Sequence, residues 1–311
     1  MKKYISKRIL VSIATLLFIL LVLFILMDLM PGSPFNDEKL SEAQIAVLYT
    51  KYGLDKPVAV RFFLYIKNML SGDLGVSYSI NKNFAISQMV KERLGISILV
   101  GAMAMGFGTV FGLILGIVSA LKHNSWIDNF CSAISVIGVS VPSYVCAMLL
   151  AYFIAFKFKL FPILYNKSMP IFSLILPALA LSVSPMANIA RFTRSEMIDV
   201  LSSDYISLVQ SMGIKDYKMI ITHAMRNTLI PVITVMGPIL INLLTGSSVI
   251  EKIFGIPGIG SLMINGIQQN DYNVTIACAF VYSVMYIIMM LIVDILYGVI
   301  DPRIRISKEE N

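Results

Sequence analysis

Residues 95–121 read GISILVGAMAMGFGTVFGLILGIVSAL, a run with no Asp, Glu, Lys, Arg or His. At about 1.5 Å of rise per residue, a helix of that length exceeds the roughly 30 Å hydrocarbon core of a bilayer. Five more apolar runs of spanning length lie along the chain, at 9–30, 130–156, 171–190, 229–250 and 274–300, the first and last of them with a single Asp near one end. Composition points the same way, with 57% of residues hydrophobic, 14% charged and a mean hydropathy of +0.81. Too little polar sequence remains to cover six buried helices in water, which excludes a soluble globular fold. The expected fold class is all-α: a polytopic membrane protein with six transmembrane helices.

Lys2, Lys3, Lys7 and Arg8 precede the first run as an n-region precedes a signal peptide's apolar core. The uncharged part, Ile9 to Met27, is too long for that, and Met27-Asp28-Leu29-Met30-Pro31 offers no small-residue cleavage site. It is therefore read as a retained first helix. Basic residues in short loops mark the cytoplasmic side. With the N-terminus inside, the inner segments hold Lys2, Lys3, Lys7, Arg8, Lys122, Arg191, Arg194, Lys215, Lys218, Arg226, Arg303, Arg305 and Lys308. The short outer loops hold only Lys157, Lys159, Lys167 and Lys252, so both termini are expected in the cytoplasm. This sets the expected organisation: a tail and first helix at 1–30, an extracytoplasmic insert at 31–94, a membrane core at 95–300 interrupted by a cytoplasmic loop at 191–228, and a tail at 301–311. The net charge of +7 is accounted for by this anchoring, and no basic stripe with interleaved aromatics suggests nucleic acid.

The residues that would carry catalysis are missing. Cys131, Cys146 and Cys278 form no Cys-x-x-Cys pair and read as inert core residues, and His123 and His223 have no metal-ligand spacing. His123 reads as a plain interfacial residue. No phosphate-binding loop occurs, and no Gly-x-Ser-x-Gly or His-Glu-x-x-His. Gly255-Ile256-Pro257-Gly258-Ile259-Gly260 superficially matches a nucleotide fingerprint, but it follows a membrane run and its proline suits a rigid turn. The spanning cores carry no Asp, Glu, Lys, Arg or His, and Asp28 and Asp294 stand only near helix ends. An ion-coupled carrier normally needs such groups at membrane depth.

Ala104, Gly108, Gly112, Gly116 and Ala120 place a small residue at every fourth position of the second run, a seam for close packing of another helix. Pro142, Pro177, Pro185, Pro231 and Pro238 are expected to bend or break the third, fourth and fifth runs. Freed carbonyls are tolerated where they face protein or a watery cavity. Pro142 and Ser143 in the third run, with Asn242 and Thr245 in the fifth, are the candidate pathway-lining residues.

Residues 204–227, DYISLVQSMGIKDYKMIITHAMRN, are the polar exception. Tyr205, Leu208, Val209 and Met212 follow i, i+3, i+4, i+7, and so do Tyr217, Ile220, Ile221 and Ala224. This predicts two short amphipathic helices joined at Gly213, with Ser203 or Asp204 capping the first and Asp216 the second. Two readings stand: a helical pair resting on the membrane surface, or a docking element for a soluble partner that supplies energy.

Four motifs carry a family resemblance. They are Met30-Pro31-Gly32-Ser33-Pro34-Phe35, Ala190-Arg191-Phe192-Thr193-Arg194-Ser195-Glu196-Met197, the stretch from Val249 to Gly260, and Asp294 to Arg303. Nearly end to end, the sequence resembles the permease subunit of a bacterial ATP-binding-cassette (ABC) importer for peptides, the B-type subunit of oligopeptide permeases. The resemblance implies the type I ABC importer permease fold in the cell membrane. It makes 191–228 the coupling element, with Asp204, Tyr205, Leu208, Val209, Gly213, His223, Arg226 and Asn227 as the ATPase-docking residues. The family's Glu-Ala-Ala triplet is replaced by Ser207-Leu208-Val209, and Gln210 and Met212 stand where basic residues are common.

The implied partners are a second permease subunit, two cytoplasmic ATPase subunits that use ATP, an extracytoplasmic solute-binding protein, peptide and the bilayer. The chain itself would bind no cofactor or metal and would be a transport subunit, not an enzyme. Tyr52 to Pro57 and Phe62 to Tyr65 in the insert would cover the pathway mouth, contact the receptor or simply pack. Dipeptide, nickel and glutathione permeases are alternatives within the family. A secondary carrier or a membrane scaffold are alternatives outside it.

Overall fold

The computed structural model describes residues 2–29, 42–51 and 53–300. Helices account for nearly all of them: α1 (Lys2–Leu29), α2 (Glu42–Lys51), α3 (Val58–Leu70), α4 (Ile86–Leu121), α5 (Trp126–Ser140) and α6 (Ser143–Leu150), which continues as a π-helical stretch Ala151–Lys157. Then come α7 (Pro170–Leu201), α8 (Asp204–Ser211), α9 (Asp216–Met219), a π-helical turn Ile220–Ala224, α10 (Met225–Ile253), α11 (Ile259–Gln268) and α12 (Tyr272–Ile300). Among the described residues, five helical segments are long and apolar enough to cross a membrane, and a bent pair brings the number to six.

The bent pair is the run expected at 130–156. Val141 is extended, Pro142 opens α6, and the two halves meet at 104°. A residue before proline avoids the helical region because the ring crowds its backbone, so the break falls where Pro142 puts it. The other prolines act differently. Pro177 and Pro185 lie inside α7, and Pro231 and Pro238 inside α10, without ending either helix. Packing explains the tolerance in α7, where Pro177 and Pro185 are both buried and α5, α6 and α10 pack on the helix.

The chain forms two compact units, Met1–Ser97 with Pro257–Ile288, and Ile98–Ile256 with Met289–Asn311. In the second unit, α7 is the central helix. The small-residue seam of α4 lies directly against it. A methyl at Gly108 would stand 2.6 Å from Pro185 Cβ, one at Gly112 2.8 Å from the Met186 carbonyl oxygen, and one at Gly116 2.6 Å from Thr193 Cβ. Backbones approach this closely only where no side chain intervenes, so the seam is a packing contact.

In the first unit, Leu74, Ile86, Met89, Val90, Ile259, Leu262, Val274 and Cys278 form one buried cluster, while Leu20, Phe24, Tyr65 and Ile276 form another. The glycine-proline segment is a rigid turn, as its proline suggested. Gly255 takes φ +61° to close α10, the Ile256 N–H donates to the Glu251 carbonyl at 2.8 Å, and Gly258 opens α11.

Several boundaries differ from the sequence expectation. α4 begins at Ile86, inside the segment read as insert, and α7 runs on to Leu201. The segment 191–228 is accordingly mostly helix: the end of α7, then α8, then a helical stretch leading without a break into α10. Spanning helices can extend past the hydrocarbon because a hydrogen-bonded backbone is as well satisfied in water as in lipid. The motif at 30–35 and the tail 301–311 lie outside the described residues, as do the side chains of Asp28 and Asp294.

Candidate functional site

α8 is set on a buried base. Ile206 is fully buried with Ala120, Met197, Met219 and Ala224, and Val209, Ile214 and Ile220 pack around them. Gly213 turns the chain with φ +75°, a left-handed conformation that glycine adopts without a Cβ clash. Its location is open, with no heavy atom within 4 Å of a built Cβ, so the requirement is conformational and not steric. Asn227 Nδ2 donates to Tyr205 Oη at 2.7 Å, tying α8 to the root of α10. Thr228 Oγ1 donates to the Ala224 carbonyl at 3.0 Å and lies 3.2 Å from Met197 Sδ.

The other side of this element is uncovered and apolar. Leu208, Met212, Tyr217 and Ile221 are 63%, 69%, 64% and 68% exposed. Exposed apolar side chains grouped on a polar loop mark a surface that something else covers. Leu208 and Met212, like Tyr217 and Ile221, belong to the two apolar sets that the helical spacing picks out, and the residue turned inward, Ile206, does not. Tyr205, Leu208 and Met212 are exposed while Ile206 is buried, and Val209 is half-buried. The second amphipathic helix is likewise not separate, since its π-helical turn carries it into α10.

The expected caps do not form either. Ser203 occupies the N-cap position of α8 but its hydroxyl donates to the Val200 carbonyl, and Lys215, not Asp216, precedes α9. Of the remaining expected docking residues, Asp204, Arg226 and Asn227 are exposed and His223 is half-buried. Of the expected pathway residues, Pro142 is exposed and Ser143 half-buried beside the α5–α6 break. The side chains of Asn242 and Thr245 lie outside the described residues.

A second polar feature was not anticipated. Asp128, in the first turn of α5, is 2% exposed, and Arg194 of α7 donates to both its oxygens, Nε to Oδ1 and Nη2 to Oδ2, each at 2.7 Å. Ser119 of α4 donates to the same carboxylate, as does the Asn124 backbone N–H at 2.9 Å. His123 Nδ1 lies 3.3 Å from Asp128 Oδ2 and 3.2 Å from Arg194 Nη2, so this histidine belongs to the cluster and is not a plain interfacial residue. Three helices are thus fastened together two turns before α7 gives way to α8. The signal available in the sequence was Ser125-x-x-Asp128, a helix-start pattern in which the serine hydroxyl accepts from the Asp128 N–H at 3.4 Å.

The family model for the binding-protein-dependent transport system inner membrane component matches residues 112–306. The chain belongs to this family. It is an ABC importer permease subunit, a multi-pass membrane protein. The permease is 42% identical to the dipeptide transport system permease protein DppB of Lactococcus lactis subsp. cremoris, across 98% of this chain and 100% of that one. It is 36% identical to the oligopeptide transport system permease protein OppB of Haemophilus influenzae, across 98% and 100%. Its fold is that of type I ABC importer permeases. The inward-facing MetNI methionine ABC transporter superposes with a TM-score of 0.57 at 15% identity, covering 69% of this chain and 97% of that one.

Proposed function

We propose that this permease forms half of a translocation pathway for short peptides and is driven by separate ATPase subunits docking on the exposed apolar ledge of Leu208, Met212, Tyr217 and Ile221. The observation that carries the reading is the contrast across α8, buried through Ile206 on one side and bare on the other. A ledge held rigidly from below can transmit a push, whereas a floppy one would absorb it. The membrane core at 95–300 then supplies the pathway, with both termini, the tail 301–311 and the loop 191–228 in the cytoplasm and the insert 31–94 outside.

In this reading a second permease subunit completes the pathway, two ATPases bind and hydrolyse ATP, and an extracytoplasmic receptor delivers the peptide. This chain holds no cofactor. Ligand-driven shifts between inward and outward states require that the ATPases grip the ledge differently in the two. Oligopeptides are the cargo suggested by the motifs. Dipeptides are the second reading, favoured by the higher identity to the dipeptide permease, 42% against 36%.

The test is uptake of labelled peptides of graded length into vesicles bearing the whole transporter, with Leu208→Asp and Ile221→Asp combined. Losing an apolar anchor worth about 2 kcal/mol should cut uptake by about tenfold or more, with the thermal midpoint of the permease unchanged. Wild-type uptake with no loss in the double variant would remove the ledge from the mechanism. The length profile of the wild type separates the two cargo readings.

A further inference from the structure

The segment between the first and second spans reads from sequence as an extracytoplasmic insert, and within it α3 packs on the membrane-spanning part of α1. Phe24 meets Phe62 edge-on at 5.5 Å between ring centres and Tyr65 at 5.2 Å, and Leu20 is fully buried in the same cluster. Both α1 residues lie within the apolar window Ile9–Leu26. At about 1.5 Å per residue, Phe24 is roughly 3 Å and Leu20 roughly 9 Å inside the end of that window. A helix in contact with them lies at the edge of the hydrocarbon, not above it.

The opposite face of α3 is bare. Val60, Phe63, Leu64 and Leu70 are 44%, 72%, 41% and 81% exposed, with Lys67 among them and Asn68 and Arg61 along one flank. Away from that contact, α1 also exposes Phe18, Ile25 and Leu26. On a spanning helix such side chains face acyl chains, and the α3 face has the same chemistry on a helix that meets α1 at the level of Phe24. We propose that α3 is an interfacial membrane helix, buried through Val60, Phe63, Leu64 and Leu70 in the leaflet at the C-terminal end of α1. Lys67 reaches from this face to the headgroups along its aliphatic stem. The insert is thereby tethered flat to the bilayer, which removes α3 as a lid swinging over the pathway.

Trp126 is the single tryptophan, so a Trp126→Phe background allows one reporter. Phe63→Trp in that background, in the assembled transporter, is reconstituted into phosphatidylethanolamine–phosphatidylglycerol vesicles carrying lipids brominated either near the headgroup or near the chain end, and the emission of the same transporter with Trp126→Phe alone is subtracted to remove the partner subunits' tryptophans. Shallow bromine should quench the emission by about twofold, deep bromine less, and aqueous iodide little, as expected for burial of roughly 5–10 Å. Leu70→Trp, at a position 81% exposed, repeats the measurement if Phe63→Trp disturbs folding. Strong iodide quenching without bromolipid quenching would place the face in water and overturn the proposal. Protection from both quenchers would overturn it too, by showing that another protein covers the face.

Discussion

Asp128 and Asp271 are both buried carboxylates at the start of a helix, and they are held by opposite means. Asp128 is held by a side chain from another helix, the bidentate guanidinium of Arg194. Asp271, which immediately precedes α12, is held through Oδ2 by the backbone N–H groups of Tyr78, Ser79 and Ile80, at 3.0, 2.9 and 3.2 Å, and by the Ser77 hydroxyl at 2.6 Å. Consecutive amides converging on one oxygen act as a fixed positive concavity, and the N-terminus of α12 adds to it. The difference lies in what can move. Sliding α7 along α5 breaks the Asp128 contact and leaves every backbone bond intact, while releasing Asp271 means unfolding the turn at 77–80. The Asp128 cluster is suited to a region that changes shape, and the Asp271 turn to one that stays put.

The contrast can be broken most severely at Arg194. Arg194→Ala leaves a buried, uncompensated charge and should cost about 3–5 kcal/mol, seen as a collapse in yield and thermal midpoint of the detergent-solubilised protein. Replacing both partners, Asp128→Leu with Arg194→Met, should recover most of that loss, because the penalty belongs to the unpaired charge. A single variant as stable as wild type would show that the pair bears no structural load. Next in size is Asp271→Ala, which strands several donors at once and should cost about 2–3 kcal/mol in chemical denaturation. Asp271→Asn keeps an acceptor oxygen and should cost less than Asp271→Ala, and equal losses would mean that charge alone matters at that turn. Smallest is Ser77→Ala, which removes one of four donors and should cost about 1 kcal/mol, so that a larger drop would make the hydroxyl, not the amides, the chief support.

The two sites were unequally legible. Asp128 had a local signature in Ser125, three residues earlier, and Arg194 stood in a motif already singled out. The Asp271 turn had none, since three of its four donors are backbone amides nearly two hundred positions away and any residue but proline supplies one. The inward side of α8 is not legible in the sequence for a related reason. Tyr205, Ile206, Leu208, Val209 and Met212 are apolar nearly all round the helix, so spacing alone could not choose which of them turns inward.

The sequence by itself determined that this chain lives in a bilayer, crosses it with up to six helical segments, and carries one polar, glycine-broken element between the fourth and fifth spans. Those properties follow from transfer free energies and from Pro142, which act locally. Only the tertiary structure decided which side of α8 is bare, that α3 lies against the membrane-embedded end of α1, and that Pro177 and Pro185 pass through an unbroken helix. Each of these depends on what packs against the segment, and neighbours brought together by folding leave no periodic trace in the chain.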